Sequence, residues 1–137
     1  MATPARGCRR ANGIVLASCQ YRGGFIRAER ALLVEPGALS RALDLAAFDA
    51  IIVMSHHLAS DRKYLAEVAS TDARYLGVLG PRARRKRLLA DLGESTPGLD
   101  ARLRGPVGID IGADSPESIA LSILADLQAT LSGVKSQ

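Results

Sequence analysis

The sequence predicts an α/β protein: a Rossmann-like three-layer domain with a mostly parallel sheet. The whole chain, 1–137, is expected to form this one domain, with residues 1–12 as a loosely ordered tail. Three observations lead there. Short apolar runs alternate with helical patterns of roughly ten to seventeen residues, the spacing that βαβ units require. The run Ala50-Ile51-Ile52-Val53-Met54 shows no polar alternation, as in a parallel strand covered on both faces. A chain of 137 residues that is 47% hydrophobic and 23% charged can bury a core without disulfides or metals.

Taken in order, Ile14–Ala17 reads as the first strand, Arg22-Gly23-Gly24 as a turn, and Ala31–Val34 as a second strand. Pro36 and Gly37 open a helix to about Ala47, with Leu39, Leu43 and Ala46 on one face. Ala50–Met54 is the clearest strand. A helix follows from Ser60, a good N-cap, with Tyr64, Leu65 and Val68 inward. Tyr75–Leu79 is the next strand. Pro81 starts a basic helix that ends at Gly93. Residues 94–106 form a connection with one helical turn, and Val107–Ile111 forms a final strand or extended segment. Ser115-Pro116-Glu117 opens the last helix with a hydroxyl cap, a proline and an acid in favoured places. Its apolar stripe is Ile119, Ile123, Leu124, Leu127 and Leu131.

Composition removes several function classes. Trp is absent and aromatic residues are 4%, which argues against stacking on nucleic-acid bases. The net charge of +4 is uneven: residues 1–30 hold six Arg and one Glu, whereas the remainder is nearly neutral. No nucleic-acid partner is expected from that distribution. No apolar run nears the ~20 residues of a membrane span, so no membrane partner is expected either. Cys8 and Cys19 form no CxxC pair or zinc pattern and read as reduced thiols of a cytoplasmic protein. The Arg-rich start has a faint transit-peptide character, but a shortened beginning of an ordinary domain is the preferred reading.

Open α/β sheets bind ligands beyond the carboxyl ends of their strands. The residues that follow the strands are therefore the candidates: Ser55 and His56, then Gly80 and Arg82, then Gly108, Asp110 and Gly112. His56 and His57 are the only histidines, and as neighbours they point apart, so a shared metal is not expected. A loop imidazole can instead orient a polar ligand or accept a proton near neutral pH. Arg82, at the head of a helix, suits an anion. Arg84, Arg85, Lys86 and Arg87 read as a solvated helix face. Asp110 has three open roles: capping the next helix, binding a ribose hydroxyl, or holding His56. No GxGxxG, Walker loop, GxSxG or paired-acid motif is present, so no catalytic residue is assigned.

Three blocks in order carry a family resemblance: Ser55-His56-His57 after a strand, Tyr75–Arg82, and Gly108-Ile109-Asp110-Ile111-Gly112-Ala113 followed by Ser115–Asp126. Together, from about Ile26 to Leu131, they resemble the carboxyl-terminal Rossmann domain of the XdhC/CoxI family, accessory proteins of xanthine dehydrogenase and carbon monoxide dehydrogenase. The last block is the most specific. The resemblance implies a chaperone-type protein that binds the molybdenum cofactor (molybdopterin) or a target molybdenum hydroxylase without turnover. It implies as partners that enzyme or a companion accessory subunit, and an incomplete sheet adds a possible homodimer. An NAD(P)-binding domain or a non-catalytic interaction module is the alternative.

Against the family pattern the chain departs in five places. The family's separate amino-terminal domain has no counterpart. The first strand and glycine-rich turn are missing, so the domain reads as truncated at its amino-terminal βα unit. Ser55-His56-His57 stands for the usual Thr-His-Asp, and Gly80-Pro81-Arg82 for Gly-Ser-Arg, where Pro81 removes a hydroxyl and an N–H donor. Ser18 stands where an Asp often follows the second strand.

Overall fold

A computed structural model describes residues 15–18 and 30–133. The expected tail over residues 1–12, the Arg22–Gly24 turn and both cysteines lie outside the described residues. The chain divides into two compact units, 1–35 and 36–137. In the first, β1 (Val15–Ser18) and β2 (Arg30–Leu33) pair in parallel, with Val15 opposite Arg30. Both strands fall within a residue of their expected places.

The second unit is a three-stranded, all-parallel sheet of order β3-β4-β5 flanked by helices. Its elements are α1 (Leu39–Ala42), a 3-10 turn at Leu45–Ala47, β3 (Ala50–Val53), α2 (Leu58–Val68), β4 (Tyr75–Val78), α3 (Arg82–Leu92), α4 (Leu99–Arg102), β5 (Leu103–Arg104) and α5 (Pro116–Ser132). The predicted α/β class with a parallel sheet is what the chain forms.

Several boundaries differ from expectation. The single helix expected to reach Ala47 is broken at Leu43, which is extended (φ −135°, ψ 143°). The N-cap residue Ala38 offers no side-chain cap; Glu67 of α2 instead accepts hydrogen bonds from the Gly37 and Ser40 amides and the Ser40 hydroxyl. One turn is thereby anchored to α2, and the chain then bends towards β3. The run 50–54 is not buried throughout: only Val53 is, and Met54 is exposed. The central position belongs to β4, whose four residues are all buried. α2 begins at Leu58 rather than being capped by Ser60, while Tyr64, Leu65 and Val68 face inward as expected. The last strand is Leu103–Arg104, inside the segment read as a connection. Val107–Ile111 is not a strand but an irregular segment with bends at Gly108 and Ile111; it hydrogen-bonds α5 through Ile109 N–H to Ser122 O (3.3 Å).

Side-chain alternation along β4 assigns the two faces of the sheet. Tyr75 clusters with Val107 and with Ile123 of α5, and Ala50, Ile52, Leu79 and Leu127 pack against that cluster. Gly77 lies on the same face, where a Cβ would come 2.2 Å from Val107 Cγ1. Val78 points the other way, towards Arg85 of α3: a Cβ on Gly105 would meet both at 3.0 Å. α5 is well set at its start. The Ser115 hydroxyl accepts from the Ser118 amide at 3.1 Å, and the Ser118 hydroxyl accepts from the Ser115 amide at 3.0 Å, with Pro116 in the first turn. Its expected apolar stripe is only partly buried. Ile119 and Leu124 are exposed, and the buried positions are Ser122, Ile123 and Asp126. Among the described residues no helix is long and apolar enough to cross a membrane.

Candidate functional site

Parallel pairing sets Val53 opposite Val78, and Gly77 opposite Arg104. The segments that follow β3, β4 and β5 therefore leave from the same end of the sheet. Ser55 and Gly80 each stand two residues beyond the paired Val53 and Val78.

A buried carboxylate joins these two loops. Asp61, in the first turn of α2, is fully buried. Its Oδ1 accepts the Ser55 amide at 3.1 Å and also the Ser55 hydroxyl. Its Oδ2 accepts Arg84 Nε at 3.1 Å and a terminal nitrogen of the same guanidinium at 2.5 Å. The Arg84 stem in turn lies over Gly80, where a Cβ would come 2.7 Å from Arg84 Cδ, and Gly80 has φ +125°. Ser55, Asp61, Arg84 and Gly80 thus form one connected unit that fixes the loop after β3 to the start of α3.

On this unit sits His56, with φ +61°. A non-glycine residue in the left-handed region costs of order 1 kcal/mol, and such strain is held only when surrounding bonds over-determine the backbone. The Ser55 bonds on one side, and the His57 amide donating to the Ser55 hydroxyl (3.3 Å) on the other, supply that restraint. Both imidazoles are exposed. Arg82, also exposed, is the first residue of α3, whose N-cap Pro81 provides no side-chain cap. The N–H missing from Pro81 therefore lies just outside the helix, and the helix opens with the amides of Arg82 and Ala83.

Gly108–Gly112 makes different contacts. Gly108 (φ +93°) allows α5 to approach: a Cβ there would lie 2.3 Å from Ser122 Oγ and 3.1 Å from the Ile123 amide nitrogen. Asp110 accepts a hydrogen bond from the Gly112 amide at 3.3 Å in an exposed local turn. The cap of α5 is Ser115, so that role is removed from Asp110. Gly112 (φ +71°) faces open space. The bonds of this segment run to α5, to the Tyr75 hydroxyl through the Gly108 backbone, and within itself, whereas Ser55 and Gly80 are tied to each other through Asp61 and Arg84.

Sequence reasoning missed two polar groups. Arg84 and Arg85 do not belong to a solvated face. Arg84 binds Asp61, and Arg85 donates to Leu103 O (2.8 Å) and to Asp100. Only Lys86 and Arg87 are exposed as expected. On the other face of the sheet, the Tyr75 hydroxyl donates to Asp126 Oδ2 (2.8 Å). Arg104 donates to Oδ1 of the same carboxylate (3.1 Å), and its guanidinium lies 5.1 Å from the Tyr75 ring centre. Burial, reinforced by Asp126, pushes the Tyr75 hydroxyl well above its ordinary range, so it stays a donor. Both groups left a signal. Asp61 precedes Tyr64, Leu65 and Val68 at i, i+3, i+4 and i+7, and Asp126 stands three residues after Ile123. An acid on an apolar face is a buried, paired acid. Among the described residues no three His, Cys, Asp or Glu side chains are grouped to hold a metal ion.

Residues 8–127 match the XdhC Rossmann domain. The chain belongs to the XdhC Rossmann-domain family. It is 32% identical over 106 residues to a protein of Bacillus subtilis described as a probable xanthine dehydrogenase subunit, covering 77% of this chain and 31% of that protein. It is 32% identical over 93 residues to the uncharacterized protein YqeB of Escherichia coli, covering 66% of this chain and 17% of that one. Among solved structures, one described as a xanthine dehydrogenase from Bacillus halodurans superimposes with a TM-score of 0.67 at 32% identity. That match covers 82% of this chain and 32% of the other. The chain thus spans about a third or less of the length of these XdhC-type relatives.

Proposed function

We propose that this XdhC-type Rossmann module is an accessory, chaperone-type protein in the maturation of xanthine dehydrogenase-like molybdenum hydroxylases. It works in the cytoplasm as one module over residues 1–137, and it binds the molybdenum cofactor or the target enzyme without turnover. The observation that carries the reading is the family match over residues 8–127, together with relatives described as a xanthine dehydrogenase and a subunit of one.

The chemistry of the strand-end rim fits a pterin cofactor held through its polar, anionic periphery. Ser55 is committed to Asp61, so its part is to set the loop. The groups that remain to meet a ligand are the exposed His56 and His57 imidazoles, the Arg82 guanidinium and the first amides of α3. These are neutral or cationic donors, suited to oxygen-rich anionic groups. Gly80 lets the Arg84 stem lie against the loop after β4, and Gly108, Asp110 and Gly112 form the third segment of the proposed rim. A bound cofactor would supply the molybdenum chemistry to the recipient enzyme; this chain's residues bind and orient it. The companion is a molybdenum hydroxylase, a separate accessory subunit or a second copy of this chain.

Equilibrium titration with purified molybdenum cofactor, paired with pull-down of a purified molybdenum hydroxylase, tests the reading. Saturable binding in either assay supports it. Absence of both, with a flat thermal-shift profile for NAD(P), leaves a pure interaction module and overturns it.

A further inference from the structure

A cavity of about 380 Å³ opens at the amino end of β4, beside β5 and α4, away from the strand-end rim. That volume lies within the usual range of small-molecule sites, roughly 300–1,000 Å³. Four arginines line it, Arg74, Arg85, Arg102 and Arg104, against one acid, Asp100.

Each guanidinium is fixed from behind. Arg102 donates to the carbonyl oxygens of Ala69, Thr71 and Ala73 at 2.7–3.1 Å. Arg74 donates to Thr130 O (3.3 Å) and Leu131 O (2.8 Å) near the end of α5. Carbonyl oxygens hold a guanidinium in place without cancelling its charge. Arg104 is neutralised by Asp126 at 3.1 Å, and Arg85 by Asp100 at 3.1 Å. The bonds of Arg74 use one terminal nitrogen, and those of Arg85 use Nε and one terminal nitrogen. Each guanidinium carries five N–H donors in a planar fork, so both retain donor capacity of the kind that grips phosphate.

We propose that this cavity binds the phosphate group of a small phosphorylated ligand, with Arg74 and Arg85 donating hydrogen bonds and Arg102 supplying charge. The site is separate from the rim and does not rest on the maturation reading. Pre-positioned cations lower the ordering cost of binding an anion, and Asp100 is the group that opposes it.

Calorimetric titration of the full chain with pyrophosphate and with inorganic phosphate at low ionic strength tests the site. One saturable event is expected, tighter for pyrophosphate. Arg74→Ala weakens it about tenfold or more, the loss of one charge-assisted contact. Asp100→Asn tightens it several-fold, since Asp100 is exposed and its removal raises the local potential without opening the core. Lys86→Ala, which removes an equal charge from the exposed side of α3, leaves affinity unchanged. Arg74→Gln keeps a donor for the α5 carbonyls and carries the test if the alanine variant unfolds. No saturable binding overturns the proposal. So does wild-type affinity in both Arg74 variants, or a loss in Lys86→Ala equal to theirs, which marks diffuse attraction.

Discussion

Replacing Asp61 by alanine removes four hydrogen bonds at once, two to Ser55 and two to Arg84. It leaves the Arg84 guanidinium, whose side chain is 20% exposed, facing a space that a carboxylate filled. Deleting one partner of a buried ion pair costs roughly 3–5 kcal/mol, because the other charge stays desolvated. Water still reaches a fifth of the Arg84 side chain, so the lower end, about 3 kcal/mol, is expected. A chain of this size is stable by roughly 7–20 kcal/mol, so the variant folds, with a melting point lower by about 10 °C. Urea denaturation of Asp61→Ala, Arg84→Met and the double variant measures the term. The double variant should be less damaged than the sum of the singles by at least about 1.5 kcal/mol. A cost under about 1 kcal/mol for Asp61→Ala, or strict additivity, would refute the claim that this pair fixes the rim.

Three further outcomes follow from the same geometry. Gly108→Ala destabilises by about 2 kcal/mol or more, because its Cβ would meet α5 at 2.3–3.1 Å; Gly112→Ala, at positive φ in open space, costs about 1 kcal/mol. Thermal melts separate the two. Ser115→Ala breaks the capping box and costs about 1 kcal/mol, read as a lower urea midpoint at unchanged m. Tyr75→Phe costs about 1.5–3 kcal/mol at neutral pH through the lost bond to Asp126. The folded Tyr75 holds its proton above the ordinary value of 10.0, so its contribution is full below pH 10 and falls as pH rises beyond it. Urea titrations at pH 8 and pH 11 should show the wild-type advantage over Tyr75→Phe shrinking.

The parts of the fold that were legible are those with a strong local cause. Tyr75–Val78 is an uninterrupted apolar run, Ser115-Pro116 a cap and first turn in sequence, and Gly93 a helix stop, and each stands within a residue or so of its expected place. What was illegible depends on tertiary partners. Leu103–Arg104 is a strand only because it hydrogen-bonds β4, and two residues carry no period. The anchoring of the start of α1 by Glu67 joins residues twenty-seven apart, Ser40 and Glu67, beyond the reach of local pattern. The strand-end positions followed from topology, and the loops after β3 and β4 do meet. Their link through Asp61 and Arg84 was hidden because a basic run reads as a solvated surface until its partners are seen. Pattern alone could have flagged Asp61, but not its choice of Arg84.

The strand-end rim of Ser55, His56, Gly80 and Arg82 is the proposed place of contact with the molybdenum cofactor. Amide chemical-shift mapping of the isotope-labelled chain during titration with purified cofactor tests this most directly. The largest, saturable shifts should fall at 55–57 and 80–83, with smaller ones at 108–112. Shifts confined to the arginine-lined cavity or the exposed face of α5, or no shifts at saturating cofactor, would contradict it.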